Sequence, residues 1–488
     1  MKQNNRYKIV ACFTAFCILM TVAGARIYTV GKDTSQKVDL SAVNSYVFEY
    51  KNARGTIYDC NGKPLTDDTL CYYKIDTNGK TPRLIQESSD NGKAGDFNFT
   101  CTKRYSDSSL ARHIIGYVNA ENRGVTGIEK AFDDILKSDA YFKVSVPKRA
   151  DGKITAAAKP EFINAQTGGS VYLTIDKDIQ LIAENNCKDI QKGAVVVSEI
   201  ASGKIRALAS FPNFEQNDVS KSLTDNYSPL LNRALAAYSV GSVFKPCIAV
   251  CAIESGLSGY TTVCKGNMTV EGHIFNCHKL DGHGNMNIKN AVAQSCNTYF
   301  YGISQNIEPT LLYNKAARFG FGGSMELCRN IKTSCGSLPS IGSLQNSKRT
   351  VANFAIGQGA LTASPINLCN LYNAIAGGGE YHQPSIIEKT VKDGKTEYIA
   401  NGKATKVTKI EVADTVKEGL REVVLSGTGK AAASDFVNLC GKTATAQTGQ
   451  TDEKGERLNL WFCGFFPYEN PIYTVVILKE GVYTGASS

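Results

Sequence analysis

The alternation of apolar and polar positions divides the chain into three stretches of different character. Residues 9–25 form an uncharged apolar run, led by Lys2, Arg6 and Lys8 and followed by Arg26. A basic leader directly before such a run is what export machinery reads, so the pattern predicts one short membrane span, positive flank inside, with the bulk of the chain outside the cytoplasm. Ala23-Gly24-Ala25 also resembles a small-residue cleavage site, which leaves a removed signal peptide as the competing reading. From residue 29 to about 166 the sequence is polar, with short β-like runs at 46–50, 56–58 and 140–146. Turn signals such as Asp59-Cys60-Asn61-Gly62 and Asp90-Asn91-Gly92 separate them, and the whole predicts an irregular, strand-containing module.

A sharper rhythm begins at Gly168. It predicts a strand over 170–174, a helix over 176–187 and an apolar strand over 193–200. The alternation continues to two β runs, 461–466 and 472–479, separated by Pro467-Tyr468-Glu469-Asn470. The expected organisation is therefore a cytoplasmic tail (1–8), a transmembrane segment (9–28), a polar module (29–166) and an α+β domain of catalytic size (167–488).

Composition narrows the class. With 42% hydrophobic and 20% charged residues the chain is a folded protein and neither disordered nor collagen-like. Its 54 basic and 45 acidic residues give a net charge of +9 without a basic run, so no nucleic-acid partner is expected. Sixteen cysteines include no C-x-x-C, which removes the strongest zinc and thioredoxin-like signals. Cys264, Cys277, His278 and His283 faintly resemble a zinc set, but their spacing is unlike compact ligand pairs; a Cys264–Cys277 disulfide is the favoured special role in an exported domain. Cys247, Cys251, Cys369 and Cys463 sit among apolar neighbours and read as buried thiols.

The candidate chemistry starts at Ser242-Val243-Phe244-Lys245, an S-x-x-K between the turn Tyr238-Ser239-Val240-Gly241 and an apolar helical stretch. Ser242 is thus expected at a helix N-terminus with Lys245 one turn on. Pro246 is tolerated in the first turn, where its missing N–H breaks no helical bond. The helix dipole favours a developing alkoxide, and a desolvated lysine of lowered pKa can take the proton, an activated nucleophile without a histidine. The letters alone are cheap, because Ser145-Val146-Pro147-Lys148 also matches. Two elements that accompany such a nucleophile decide between them, an S-x-N triplet and a K-[ST]-G strand. Ser295-Cys296-Asn297 follows a short helical run at 288–293 and is preferred over Ser89-Asp90-Asn91, which precedes the nucleophile. Lys442-Thr443-Ala444 is preferred over Lys332-Thr333-Ser334, because β-type sequence at 436–439 and at the Trp461 run brackets it.

At this point the chain resembles the class B penicillin-binding proteins, monofunctional transpeptidases of peptidoglycan synthesis. Arg54-Gly55-Thr56-Ile57-Tyr58-Asp59-Cys60-Asn61-Gly62, Gly116-Tyr117-Val118 and Gly127-Ile128-Glu129 are similar to the family's pedestal signatures. Leu173-Thr174-Ile175-Asp176, the nucleophile block, Ser295-Cys296-Asn297, Gly357-Gln358-Gly359, Lys442-Thr443-Ala444-Thr445-Ala446-Gln447 and the Trp461 run follow in the family's order. The resemblance implies a mainly antiparallel sheet flanked by helices, carried on a pedestal and a membrane anchor, with no metal and no organic cofactor. It implies an acyl-enzyme on Ser242, Lys245 as base, Ser295 and Lys442 as proton relays and Asn297 on the substrate amide. Backbone N–H groups of Ser242 and Thr445 would form the oxyanion hole, and Thr443 and Thr445 would grip the substrate carboxylate, with Gln447 beside them. The implied partners are peptidoglycan stem peptides, β-lactams as covalent inhibitors, a SEDS-family glycosyltransferase and the membrane, with the catalytic domain outside a single-pass anchor. The competing functions are a non-turnover β-lactam sensor or glycosyltransferase scaffold, and a D,D-carboxypeptidase or β-lactamase-like hydrolase. Three departures stand out: Cys60 for an arginine, Val240 for a proline, and Ala444 for the glycine of K-T-G, whose methyl is expected to crowd the cleft. The resemblance also leads one to expect a last helix beyond Ser488.

Overall fold

The computed structural model describes residues 2–32, 45–79, 81–87, 97–154 and 159–483. The apolar N-terminal run lies in helix α1 (Lys2–Lys32), which exposes Phe13, Phe16, Ile18, Leu19, Met20 and Val22. Among the described residues no helix is long and apolar enough to cross a membrane. The turn Asp90-Asn91-Gly92 and the discarded Ser89 lie outside the described residues.

Contacts divide the chain into two compact units, and the division does not follow a boundary at residue 166. The smaller comprises Met1–Asn52, Cys71–Cys101 and Tyr141–Ala165. Strand Tyr141–Pro147 pairs there with Ser45–Asn52 on one side and Glu161–Ile163 on the other, over a core of Ile75, Phe99, Val144 and Val146. Ser145 of the second S-x-x-K is 5% exposed within that strand, opposite Val47, a setting without a helix to carry a lysine one turn on.

The larger unit comprises Ala53–Leu70, Thr102–Ala140 and Gln166–Ser488. Residues 53–70 and 102–140, expected in the polar module, belong here for two physical reasons. Ile57–Tyr58 adds as a parallel strand to Ser170–Leu173. In addition, Arg112 reaches Glu215 at 2.8 Å, and the two segments are tied to each other at Glu129, which has no exposed surface and receives the guanidinium Nε of Arg54 at 2.7 Å and of Arg104 at 2.6 Å, while Arg54 also reaches Asp133 at 2.7 Å. Burial by itself would raise the Glu129 carboxyl, but Arg104 and Arg54 hold it below its ordinary value.

The unit is organised by a five-stranded antiparallel sheet built from β1 (Gly193–Glu199), β2 (Ile205–Phe211), and three late strands. Between them in sequence come helices α2 (Lys245–Glu254), α3 (Ile288–Ala293), α4 (Asn297–Ser304), α5 (Pro365–Ala376) and α6 (Ile410–Leu425). The late strands are β3 (Cys440–Asp452), β4 (Gly455–Phe466) and β5 (Tyr473–Tyr483), and the spatial order is β2-β1-β5-β4-β3. β1 and β5, the first and last strands of this sheet in sequence, therefore meet at its centre, where Val195 faces Ile477. Every residue of α5 is buried, including Asn367, Asn370 and Asn373 at three-residue spacing on one face, whose amides find Gly320 O, Met325 Sδ and, at 3.0 Å, Ser198 Oγ. α6 buries Val412, Val416, Leu420 and Val423, the spacing of one helical face. Among the described residues β3 lies at the sheet edge, with no strand paired on its outer side.

Replacing Glu129 with alanine should remove the fully buried carboxylate that Arg54 and Arg104 share, leaving them the carboxylates of Asp133 and Asp67, and cost roughly 3 kcal/mol of stability. Denaturant unfolding of the Glu129→Ala chain measures it. A cost below about 1 kcal/mol, the scale of an exposed ion pair, would contradict the structural role given to this cluster.

Candidate active site

The nucleophile turn is set by packing on both sides. Residues Gly241–Phe244 form a 3-10 turn that runs into α2, so Ser242 lies one turn ahead of the α-helix rather than at its first residue. Val243 and Phe244 are fully buried, Phe244 against the rings of Phe321 and Phe354 at centroid distances of 5.1 and 5.0 Å. Tyr372 of α5 donates to the Val243 carbonyl at 3.1 Å. With both following side chains pinned inward, half-buried Ser242 is left at the surface of the core.

Two glycines allow this turn. Gly241 has φ +62°, and a Cβ there would lie 3.0 Å from the Ala446 methyl on β3. Its N–H donates to the Gly357 carbonyl at 2.8 Å, and a Cβ on Gly357, at φ +74°, would come within 2.0 Å of the Gly241 oxygen. No side chain fits between them. The Gly357-Gln358-Gly359 segment is thus a backbone support for the nucleophile turn. Val240 is wholly buried and fills the core beside it. Trp461 of β4 donates its indole N–H to the Ser239 carbonyl at 3.0 Å.

Lys245 has no exposed surface, and its amine donates to Ser295 O at 2.6 Å, Ser295 Oγ at 3.1 Å and Asn297 Oδ1 at 2.7 Å, with the Phe300 ring centroid 5.5 Å away. Burial lowers the amine to about 7, while Cys277 and Cys296 act in the opposite sense. The acceptors are delivered by the α3–α4 junction. Cys296 N–H donates to Ala291 O at 3.0 Å and Ser295 N–H to Val292 O at 3.2 Å, which is the Schellman pattern at the end of α3. The left-handed position of that motif is normally a glycine; here it is Ser295, at φ +54° and 7% exposed. A side chain there costs about 1–2 kcal/mol, and a strain of that kind persists only where surrounding contacts over-determine it. α4 then starts at Asn297 with Cys296 as its N-cap.

On β3, Lys442, Ala444 and Ala446 point to the buried face, and Thr443, Thr445 and Gln447 to the other. Lys442 is fully buried and its amine donates to Thr443 O at 3.0 Å. Burial first, and then the charge of Lys245, push it well below the usual lysine value, because two neighbouring ammonium groups in a dry site cannot both ionise cheaply. Ala444 is 5% exposed and would sit 3.5 Å from a Gly241 Cβ. Its methyl is therefore turned inward beneath the nucleophile turn and does not crowd an open cleft. Thr443 Oγ1 reaches Thr428 Oγ1 at 3.2 Å, Thr445 is exposed, and Gln447 bonds Glu456 across the hairpin at 3.3 Å. The bracketing run 436–439 is not a strand, and Phe436 is wholly exposed. The structure thus joins Lys245, Ser295 and Asn297 by direct bonds and sets Lys442 electrostatically against them, while Gln447 stays with its own hairpin.

A feature that spacing concealed lies beneath the triplet. Cys264, Cys277, His283 and Cys296 bring one ligand atom each to within 4.8 Å of one another. The Cys264 and Cys277 sulfurs are not joined as a disulfide; each lies 3.5 Å from His283 Nδ1. Hydrogen bonding between Cys296 and Cys277 lowers the Cys277 thiol and raises that of Cys296. Cys296 occupies the variable middle position of S-x-N, and its partners are spread from 264 to 283 in sequence, so no local motif assembles the set.

Residues 193–488 match the family model of the penicillin-binding protein transpeptidase domain. The peptidoglycan D,D-transpeptidase MrdA of Acinetobacter baumannii is 26% identical over 438 residues, covering 79% of this chain and 64% of that protein. Stage V sporulation protein D of Bacillus subtilis is 26% identical over 401 residues, covering 78% of this chain and 60% of that protein. The chain thus spans less than two thirds of these relatives' lengths. The solved apo structure of penicillin-binding protein 3 from Mycobacterium tuberculosis superposes with a TM-score of 0.67 at 25% identity, covering 89% of this chain and 91% of that one. A buried lysine bonded to an S-x-N triplet behind a serine turn, on a sheet ordered β2-β1-β5-β4-β3, is thus found in a chain that belongs to the penicillin-binding protein transpeptidase domain family.

Proposed function

We propose that the chain is a serine D,D-transpeptidase that cross-links peptidoglycan stem peptides through an acyl-enzyme on Ser242. The observation that carries this reading is the Lys245 amine, buried, lowered to about 7 and bonded to both Ser295 and Asn297. A general base works best when its pKa lies near the operating pH. Neutral Lys245 takes the Ser242 proton as Oγ attacks the penultimate D-Ala carbonyl. The proton passes through Ser295 to the leaving D-Ala amine, and the amine of a second stem peptide then displaces Ser242 and restores it. Backbone N–H groups of Ser242 and of Thr445 on edge strand β3 serve the oxyanion, a contribution of about 3–4 kcal/mol per donor in comparable sites. Lys442, Thr443 and Thr445 receive the terminal carboxylate, and Asn297 the substrate amide. β-Lactams, as mimics of the same acyl donor, acylate Ser242.

The basic leader before the uncharged run 9–25, together with the exposed apolar side chains of α1, supports a single-pass membrane anchor with the transpeptidase domain on the extracellular side, although α1 does not by itself meet the length and apolarity of a spanning helix. A cross-linking enzyme needs polymerised glycan carrying stem peptides, which supports a SEDS-family glycosyltransferase as its partner.

Incubating the full chain with a fluorescent penicillin tests the reading by gel and intact mass. Ser242→Ala should abolish labelling, Ser145→Ala should leave it unchanged, and Lys245→Ala should slow it about a hundredfold or more, the scale of a lost general base. Rapid release of the label would instead indicate water as the acceptor. The labelling rate should rise with pH through about 7 as Lys245 loses its proton. A rising limb centred near the ordinary lysine value of about 10.4 would refute Lys245 as a tuned base.

A further inference from the structure

We propose that Cys71 and Cys101 form a disulfide that clasps the two ends of the segment running between them in the smaller unit. The pair stands on geometry independent of the transpeptidase reading; only its oxidation in the cell rests on the extracellular placement proposed above.

The two cysteines lie on neighbouring strands. Thr69–Asp76 is the middle strand of a three-stranded sheet, with Arg83–Glu87 on one side and Asn98–Lys103 on the other. The Ile75 N–H donates to Phe97 O at 3.1 Å, and the rings of Tyr73 and Phe99 stack at a centroid distance of 5.6 Å. Two residues further along, the same antiparallel register sets Cys71 opposite Cys101. Residues two apart on a strand share a face. The Cys71 thiol therefore belongs to the face that carries Ile75 and Phe99 into the core, and it is 4% exposed. Tyr50 packs on Tyr73 and Phe99 at 6.4 and 5.1 Å, which fixes the two strands against each other just beside the thiols.

The sulfurs are 2.9 Å apart, within about 0.9 Å of the bonded separation of roughly 2.05 Å. Directly opposed residues of an antiparallel pair have α-carbons about 4.5–5.5 Å apart, inside the roughly 4.4–6.8 Å that a disulfide spans. The bond therefore closes by turning side chains, without moving either backbone. What Cys71 gives up is a weak thiol hydrogen bond to the Cys101 carbonyl at 3.4 Å.

Topology supplies the purpose. The smaller unit takes three pieces of chain, and the middle one runs from Cys71 to Cys101. The bond joins the first and last residues of that piece. The unit's core is thin, with Ile75, Phe99, Val144 and Val146 as its buried apolar side chains. A core of that size gains most from a covalent link that removes freedom from the unfolded chain. Oxidation proceeds by thiol–disulfide exchange. The thiolate of Cys101, the half-buried member, attacks a disulfide donor and releases one donor thiol; Cys71 then displaces the second. The donor's S–S bond breaks, the Cys71–Cys101 bond forms, and two electrons and two protons pass to the donor sulfurs. In an oxidising compartment the donor is a disulfide-bearing oxidant, for which glutathione disulfide serves in the test.

The purified full chain is incubated with glutathione disulfide under native conditions, its remaining thiols are alkylated, and the digest is mapped without reduction. A cross-link between tryptic peptides 55–74 and 94–103 is expected, with fragment ions placing it at Cys71 and not at Cys60, which shares the first peptide. The oxidised chain should unfold several degrees above the reduced one. The double variant Cys71→Ser/Cys101→Ser should lose both the cross-link and the difference. Cys71 and Cys101 recovered alkylated or capped by glutathione, without a cross-link, would overturn the pair. Equal midpoints with and without the bond would overturn its role as a clasp. If the double variant fails to fold, the oxidised and reduced wild-type chains still decide. Chain that protease reaches from outside intact cells, yet maps with both thiols reduced, would overturn the oxidation in the cell. A cross-linked chain that no penicillin labels would sink the transpeptidase reading and leave the bond standing.

Discussion

The buried amine of Lys245 is the constraint on which the rest of the site depends. An ammonium taken out of water costs several kcal/mol unless it finds acceptors or gives up its proton. Here it does both in part: three oxygens of Ser295 and Asn297 surround it, and burial brings it to about 7. Those oxygens come from a helix junction some fifty positions along the chain, so the first turn of α2 and the α3–α4 turn must be held against each other. The second buried lysine, Lys442, tightens the requirement, because either amine discourages the charge on the other.

Backbone geometry answers this constraint in a consistent way. Gly241 and Gly357 bring two main chains closer than any Cβ permits, and Ser295 takes a place in a helix-ending motif that usually belongs to glycine. Strain concentrated at the nucleophile turn and at the residue that faces its base is offset by a large apolar scaffold, in which α2 and α5 are buried along almost their whole lengths. Ala444 belongs to the same scheme, its methyl set on the buried face of β3 under the turn.

Periodicity made the core of this arrangement legible. The apolar runs at 193–200, 461–466 and 472–479 became the adjacent strands β1, β4 and β5, and the helical stretch after Ser242 became α2. Order and local context along the chain favour Ser242 over Ser145 and Ser295 over Ser89, and the structure bonds Ser295 to the lysine that follows Ser242 by one turn. What remained hidden depended on contacts distant in sequence. The polar module divides because Ile57–Tyr58 pairs with Ser170–Leu173 and Arg112 reaches Glu215, while Arg54 and Arg104 converge on Glu129, pairings that local pattern does not encode. The 3-10 geometry at Ser242 depends on Phe321, Phe354 and Tyr372. The cysteine–histidine cluster needs two hairpins and a helix junction to form, and the phenylalanine at 436 that looked like strand sequence is fully exposed.

The central claim is that Ser242 accepts an acyl group from a D-Ala-D-Ala donor with Lys245 as its base and passes it to an amine. Time-resolved intact mass of the full chain with a synthetic donor ester ending in D-lactate, with and without a D-amino acid as acceptor, measures it directly. The account predicts a transient adduct on Ser242 equal to the donor acyl group, consumed faster when the acceptor is present and accompanied by the new amide. No adduct on Ser242, or turnover only to the hydrolysed donor regardless of acceptor, would contradict it.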